Sequence, residues 1–291
     1  MESTNAIARL TDQPALDNLA EPLANAVHAI YNSAGPTGAA IKNAMHGVWL
    51  GHPLHPVFTD IPIGAWTTGI VLDAVATARD DAAMEEAADV AIAVGLAGAV
   101  ASAVTGLTDW SETSGRSRRA GLIHGLLNLT ATGLYAAALA MRRNGSRATG
   151  RNYALAGYGI ALGAAYLGGD LVYGQRIGVT HAAVEGPEDF VDVAASSDLP
   201  DNTMRRAQNG DVDVLLARQR RRVCSLAHPC AHLGGPLSEG TLKDGSVVCP
   251  WHGSEFALDD GRVLNGPATM NQPCFAVREA NGRIEVKGVE D

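Results

Sequence analysis

Apolar positions change their spacing along the 291 residues, and each change marks a different kind of element. From Asp12 and Pro14, residues suited to a helix cap and first turn, Leu16, Leu19, Leu23, Val27 and Ile30 recur at helical spacing against a polar face. This predicts an amphipathic helix within an N-terminal segment, 1–56, that lies on a membrane surface, the favoured reading, or packs on another domain. After the Gly35-Pro36 break, the segment ends in Gly51-His52-Pro53-Leu54-His55-Pro56. Proline disfavours helical geometry in the residue before it, so His52 and His55 are expected in a bent, extended stretch. Four apolar runs follow, at 57–78, 88–107, 120–141 and 153–173, with charges confined to their ends. Each is near the ~20 residues that cross a bilayer, which predicts a four-span membrane domain over 57–181. Gly95, Gly98, Gly157, Gly163 and Gly168 permit close helix approach and hence a four-helix bundle. Beyond His181 the period becomes two. Short strands are expected at 190–193, 212–218, 222–226, 247–248, 275–278 and 284–287, with Asn281-Gly282 as a two-residue hairpin turn.

Composition agrees with that division. Charged residues make up 18% and aromatics 5%, with abundant Gly, a mixture suited to membrane helices that pack through small side chains. The net charge of -9, with no basic stripe beyond Arg218 to Arg222, argues against nucleic acid as a partner. The N-terminus lacks a basic region followed by an apolar stretch, so no secretory signal is expected. Cys224 and Cys274 fall in predicted strands and are expected as small buried hydrophobes, although a disulfide between them is also open.

The chemistry lies near the C-terminal end. Cys230-Ala231-His232 and Cys249-Pro250-Trp251-His252, with sixteen residues between them, supply two thiolates and two imidazoles. Such a donor set suits zinc, or an iron–sulfur centre in which Cys₂ holds one iron and His₂ the other. The flanking Gly234-Gly235-Pro236 and the Pro250, Gly253 pair are unusual for zinc fingers, and this stretch closely resembles the Rieske 2Fe-2S family. The resemblance implies an antiparallel all-β domain over 190–291, joined by a linker at 182–189. The fold class is therefore read as α+β multidomain: a transmembrane four-helix bundle followed by a Rieske domain. It further implies that Cys230 and Cys249 bind the buried iron and His232 and His252 the outer, reducible one. Where quinol-oxidising relatives carry a disulfide across the two loops, this sequence has Gly235 and Trp251, so it resembles the ferredoxin and oxygenase types. Ser254 retains a hydroxyl seen in high-potential members while Phe256 replaces their tyrosine. Hydrogen bonds to sulfur raise the potential, so an intermediate or low value is expected.

The block from the His-Pro-Leu-His-Pro signature to His181 resembles a bacterial four-span membrane family, which implies a fold and no activity. With an even number of spans, His52, His55, Asp60, His124, Asn128, Asp170 and His181 all fall on the side of the termini. An ionisable group within a span costs roughly 2.5–3.5 kcal/mol on insertion scales, so these residues need partners or a purpose. Two readings follow: interfacial hydrogen bonds between helices, or a pocket for haem b or a quinone built from His52, His55, Asp60, His124, Asp170 and His181. The eight residues between His181 and Phe190 reach at most roughly 28 Å, which tethers the β domain closely.

The function expected is that of a membrane-anchored one-electron carrier, exchanging with a redox partner protein or a quinone. The alternative is a redox-sensing Rieske domain on a membrane anchor or transporter-like domain. Oxidoreductase activity is expected as electron transfer only, since no second domain supplies a two-histidine-one-carboxylate iron site. Lys and Arg tie between the two membrane faces, with Lys42, Arg116, Arg118, Arg119 and Arg176 against Arg79, Arg142, Arg143, Arg147 and Arg151. Because iron–sulfur clusters are inserted in the cytosol, both termini are expected to be cytoplasmic.

Overall fold

The computed structural model describes residues 11–182 and 185–288, which divide into two compact units. The first comprises the chain up to Ile41 together with Pro53–Ile177, and the second comprises Lys42–His52 together with the chain from Gly178.

Helices build the first unit: α1 Asp17–Ser33, α2 Gly35–His46 (whose last residues belong to the second unit), α3 His55–Arg79, α4 Ala82–Ser111, α5 Gly115–Arg143 and α6 Arg147–Gly169. A π-turn, Asp170–Gly174, continues α6. Helices α3 to α6 are each long and apolar enough to cross a membrane. His55 departs from the extended geometry expected of it and opens α3. Pro56 is accommodated because a first-turn residue needs no N–H for the helix, and its fixed φ already suits one. At the centre of the bundle Trp66 stacks on Tyr135, with ring centroids 4.1 Å apart and planes 12° apart. That stack requires Gly95, where an added Cβ would lie 2.2 Å from the indole nitrogen of Trp66.

Helix α1 packs through its small face. Ala20, Ala24 and Val27 are buried, while Leu19, Leu23 and Ile30 stay exposed. Alanines allow the close approach, and polar ties fix it: Tyr31 Oη shares a 2.7 Å hydrogen bond with Thr108 Oγ1, and Asp17 pairs with Arg119 at 2.9 Å. Leu19, Leu23 and Ile30 leave an apolar stripe on its outward face.

A charge network occupies the loop end of the bundle. Arg142, its side chain fully buried, forms a two-pronged pair with Asp73 and reaches Asp89 at 3.0 Å. Arg147 bonds Asp89 at 2.9 Å and Glu85 at 3.0 Å, and Arg151 bonds Glu85 at 2.9 Å. Three guanidinium groups thus balance three carboxylates and tie α3, α4, α5 and α6 together.

Among the described residues, ten strands build the second unit. A six-stranded sheet runs in the order β1-β10-β9-β4-β3-β2 and a four-stranded sheet in the order β5-β6-β7-β8, all pairs antiparallel. The larger contains β1 Val191–Ala195, β2 Thr203–Asn209, β3 Val212–Gln219, β4 Arg222–Ala227, β9 Cys274–Ala280 and β10 Arg283–Lys287. The smaller contains β5 Thr241–Lys243, β6 Ser246–Val248, β7 Glu255–Ala257 and β8 Val263–Asn265. Between β9 and β10, Asn281 (φ 51°) and Gly282 (φ 76°) form the expected two-residue turn, with Ala280 opposite Arg283. Val214, Leu216, Leu226, Phe256, Phe275 and Ile284 are among its core residues. Cys224 and Cys274 are half-buried free thiols on β4 and β9. The stretch expected to be a linker is partly packed: Gly288 N donates to Pro187 O at 2.7 Å, while residues 183 and 184 lie outside those described.

Candidate metal centre

Two loops carry the Cys and His residues. The first joins β4 to β5, and the second joins β6 to β7. Each is closed by hydrogen bonds across its base: Cys230 N donates to Gly235 O and Cys249 N to Ser254 O, both at 2.8 Å. Each also reverses at a glycine with positive φ, Gly234 at 77° and Gly253 at 76°, a backbone shape that L side chains resist. The matching reversals let each loop present a thiol and an imidazole in different directions.

Both thiols are buried, Cys230 being 1% and Cys249 4% exposed. They bond each other, and backbone N–H groups converge on them, those of His232 and Leu233 on Cys230 and those of Trp251 and His252 on Cys249. The mutual bond, with the Trp251 and His252 amides, draws Cys249 down to about 7 against the opposing effect of burial. The same bond and burial push Cys230 up. The pair therefore favours ionisation at Cys249, and a bound metal would supply the drive to ionise Cys230.

The imidazoles form a second pair. The rings of His232 and His252 are edge to face, with centroids 5.1 Å apart and planes 88° apart. Burial, followed by the influence of His252, His46, His181 and Lys42, lowers His232 to about 3, so it is neutral, the form a metal requires. Its Nδ1 is buried without a hydrogen-bond partner. An orphaned buried nitrogen is costly unless a ligand or metal completes it, so the residues present fit a metal centre. Among the described residues, no three of His, Cys, Asp or Glu close on one ion. The donors lie instead as a thiol pair and an imidazole pair, the arrangement that suits two irons.

Neighbouring groups support the loops. Gly235 lies against the second loop so closely that an added Cβ would be 2.8 Å from Cys249 Sγ and 3.1 Å from the Trp251 ring. The Gly235 and Trp251 positions are thus in contact without a sulfur link. Ser254 is wholly buried, and its Oγ accepts from Ala268 N at 2.9 Å, which fixes the hydroxyl beside the second loop. Gln272 was not predicted from sequence. Its buried amide donates to Ala227 O and Pro229 O, both at 2.7 Å, and accepts from Ala231 N at 2.8 Å, holding the first loop's base. No spacing rule reveals such a residue, because its partners lie more than 40 positions away.

The six residues expected in a haem or quinone pocket divide between the units. His55, Asp60, His124 and Asp170 are in the bundle, while His52 and His181 belong with the β unit. His55 Nδ1 donates to Ser102 O at 2.9 Å. His124 Nδ1 donates to Ala164 O at 2.8 Å, and its Nε2 accepts from Asn128 Nδ2 at 3.1 Å. Asp60 is exposed, and Asp170 accepts from Gln175 Nε2 at 2.8 Å. The expected helix-to-helix bonds are therefore present for both histidines. His181 N donates to Ala231 O at 3.0 Å, which places it beside the first cluster loop.

Comparison with known families agrees with this division. Residues 51–181 match the family described as predicted membrane protein (DUF2231), and residues 189–276 match the Rieske [2Fe-2S] domain. Human apoptosis-inducing factor 3 is 31% identical over 115 residues, covering 39% of this chain and 19% of its own length. This chain thus spans about a fifth of that relative. Ferredoxin CarAc of Metapseudomonas resinovorans is 30% identical over 100 residues, covering 34% of this chain and 94% of the ferredoxin. A solved complex of reduced oxygenase and oxidized ferredoxin in carbazole 1,9a-dioxygenase contains a chain matched at 27% identity, with a TM-score of 0.34, covering 36% of this chain and 99% of that one. The chain belongs to the Rieske 2Fe-2S family, its Rieske domain fused to a four-helix domain of the predicted membrane protein family DUF2231.

Proposed function

We propose that this protein is a membrane-anchored one-electron carrier in which Cys230 and Cys249 hold one iron of a 2Fe-2S cluster and His232 and His252 the other. The observation that carries the reading is the paired donor set on two matching loops, with the buried Nδ1 of His232 lacking a protein partner. A cluster so ligated takes up and returns one electron. The chain supplies its setting. Amides of His232, Leu233, Trp251 and His252 face the thiolates and favour added negative charge, as does the fixed hydroxyl of Ser254. The buried thiol side excludes water, and the exposed Trp251 borders the histidine side, where a redox partner protein would be met.

In this reading both termini and the cluster face the cytoplasm, which is supported by the insertion of iron–sulfur clusters in the cytosol. A finer reading puts a haem b or a quinone in the bundle. It rests on His55, Asp60, His124 and Asp170 sharing the end of the bundle at which α3 begins and α6 finishes. A haem ligated by His124 Nε2 would have to take the place of Asn128.

The test uses oriented membrane vesicles of the full-length protein and a membrane-impermeant reductant. Inverted vesicles, with the cytoplasmic face outward, should take up one electron per chain, and right-side-out vesicles should take up none. Uptake of two electrons per chain, or uptake in the right-side-out vesicles alone, would contradict the reading.

A further inference from the structure

The segment Lys42–His52 precedes the four spans in sequence, yet it packs within the β unit. Asn43 is its anchor. Its Nδ2 donates to Asn265 Oδ1 at 2.8 Å across a separation of 222 residues, and its Oδ1 accepts from Gly266 N at 2.9 Å. The two bonds use both ends of the amide and lock the segment onto the stretch 265–268. That stretch is itself bound to the second cluster loop, because Ala268 N donates to Ser254 Oγ.

Around this anchor the segment closes down. An added Cβ on Gly266 would lie 3.2 Å from Val48 and 3.5 Å from the His46 ring, so Gly266 lets the segment settle against the loop. His46 is 2% exposed. On the other loop, His181 N bonds Ala231 O, and the His181 ring is 3.7 Å from where a Cβ of Gly234 would be. His46, His181 and Lys42 are all near enough to act electrostatically on His232.

We propose that residues 42–48 form a built-in cap on the histidine side of the cluster site, with Asn43 as the positioning residue and His46 as the shield of His232. This rests on the reading of Cys230, His232, Cys249 and His252 as cluster ligands. A partner protein then meets a surface made in part by this segment, and the buried Nδ1 of His232 becomes more open to water when the cap lifts. The residues involved precede the first span, and His181 follows the last. Both stretches of chain that flank the spans are therefore committed to the cluster loops.

The test uses full-length protein in lipid nanodiscs and a lysine-specific protease that cuts after Lys42. In Asn43→Ala, cleavage there should be about tenfold faster, as expected on losing two hydrogen bonds that hold a locally opening segment. Asn265→Ala, which removes one of the two bonds, should show a smaller acceleration. The second readout is the deuterium modulation of the reduced EPR signal after exchange into D₂O, which reports water near the cluster and which a merely structural tie would leave unmoved. It should deepen in Asn43→Ala and in His46→Ala. Wild-type cleavage rates and wild-type modulation in these variants, with the reduced signal intact, would overturn the cap. Absence of any reduced signal from the wild-type protein would refute the cluster reading instead. The cap is then decided by cleavage alone, where acceleration upholds it and an unchanged rate overturns it.

Discussion

Cys249→Ser and His232→Ala should each abolish the reduced EPR signal with average g below the free-electron value that clusters with two histidine ligands give. Cys224→Ser and Cys274→Ser should leave it intact. The contrast follows from position. Cys230 and Cys249 are buried in facing loops where backbone amides converge on both sulfurs, whereas Cys224 and Cys274 sit on paired strands, half-buried and away from those loops. Burial raises both strand thiols, so neither is set up as a thiolate. Loss of His232 removes a buried imidazole nitrogen, Nδ1, that has no hydrogen-bond partner within the described residues. A signal that survived in Cys249→Ser, or vanished in Cys274→Ser, would show that the donors have been assigned to the wrong residues.

Arg142→Leu should be the most damaging change in the bundle. Buried ion pairs are expensive to break from one side, typically ~3–5 kcal/mol, because the remaining charge is left uncompensated. Without Arg142, Asp73 loses the one cation paired with it among the described residues, whereas Asp89 keeps Arg147. Asp73→Asn should cost less, since Arg142 retains Asp89. The double variant Asp73→Asn with Arg142→Leu should recover much of the loss, because no charge is then stranded. Unfolding in mixed micelles, followed by circular dichroism, measures all three. Equal costs for the two single variants, or additivity in the double, would mean that the network is not coupled in this way.

The parts of this chain that were legible in advance are those written in local pattern. Four long apolar runs became α3 to α6, and the Asn281-Gly282 turn joined β9 to β10 as its residue types require. The strands that escaped notice have clear reasons. β2, Thr203-Met-Arg-Arg-Ala-Gln-Asn, is a polar edge strand held by its full-length pairing with β3, and β5, β7 and β8 span three residues each, too few to display a period of two. The Cys and His residues were visible because their spacing within each loop is short. Gln272 and Asn43 were not, because what they do depends on partners brought close only by folding. Charge counting left the two membrane faces tied and did not reveal pairing. Arg142, Arg147 and Arg151 were counted on one face, and each is paired with a carboxylate.

The central claim, that the two loops of the β unit hold a 2Fe-2S cluster between a thiol pair and an imidazole pair, is tested most directly by EPR of the full-length protein in membranes before and after dithionite, with iron and sulfide counted per chain. The account predicts a silent oxidised state, and on reduction a rhombic signal with average g below the free-electron value, together with two irons and two sulfides per chain. A single tightly bound zinc with no reducible centre would contradict it.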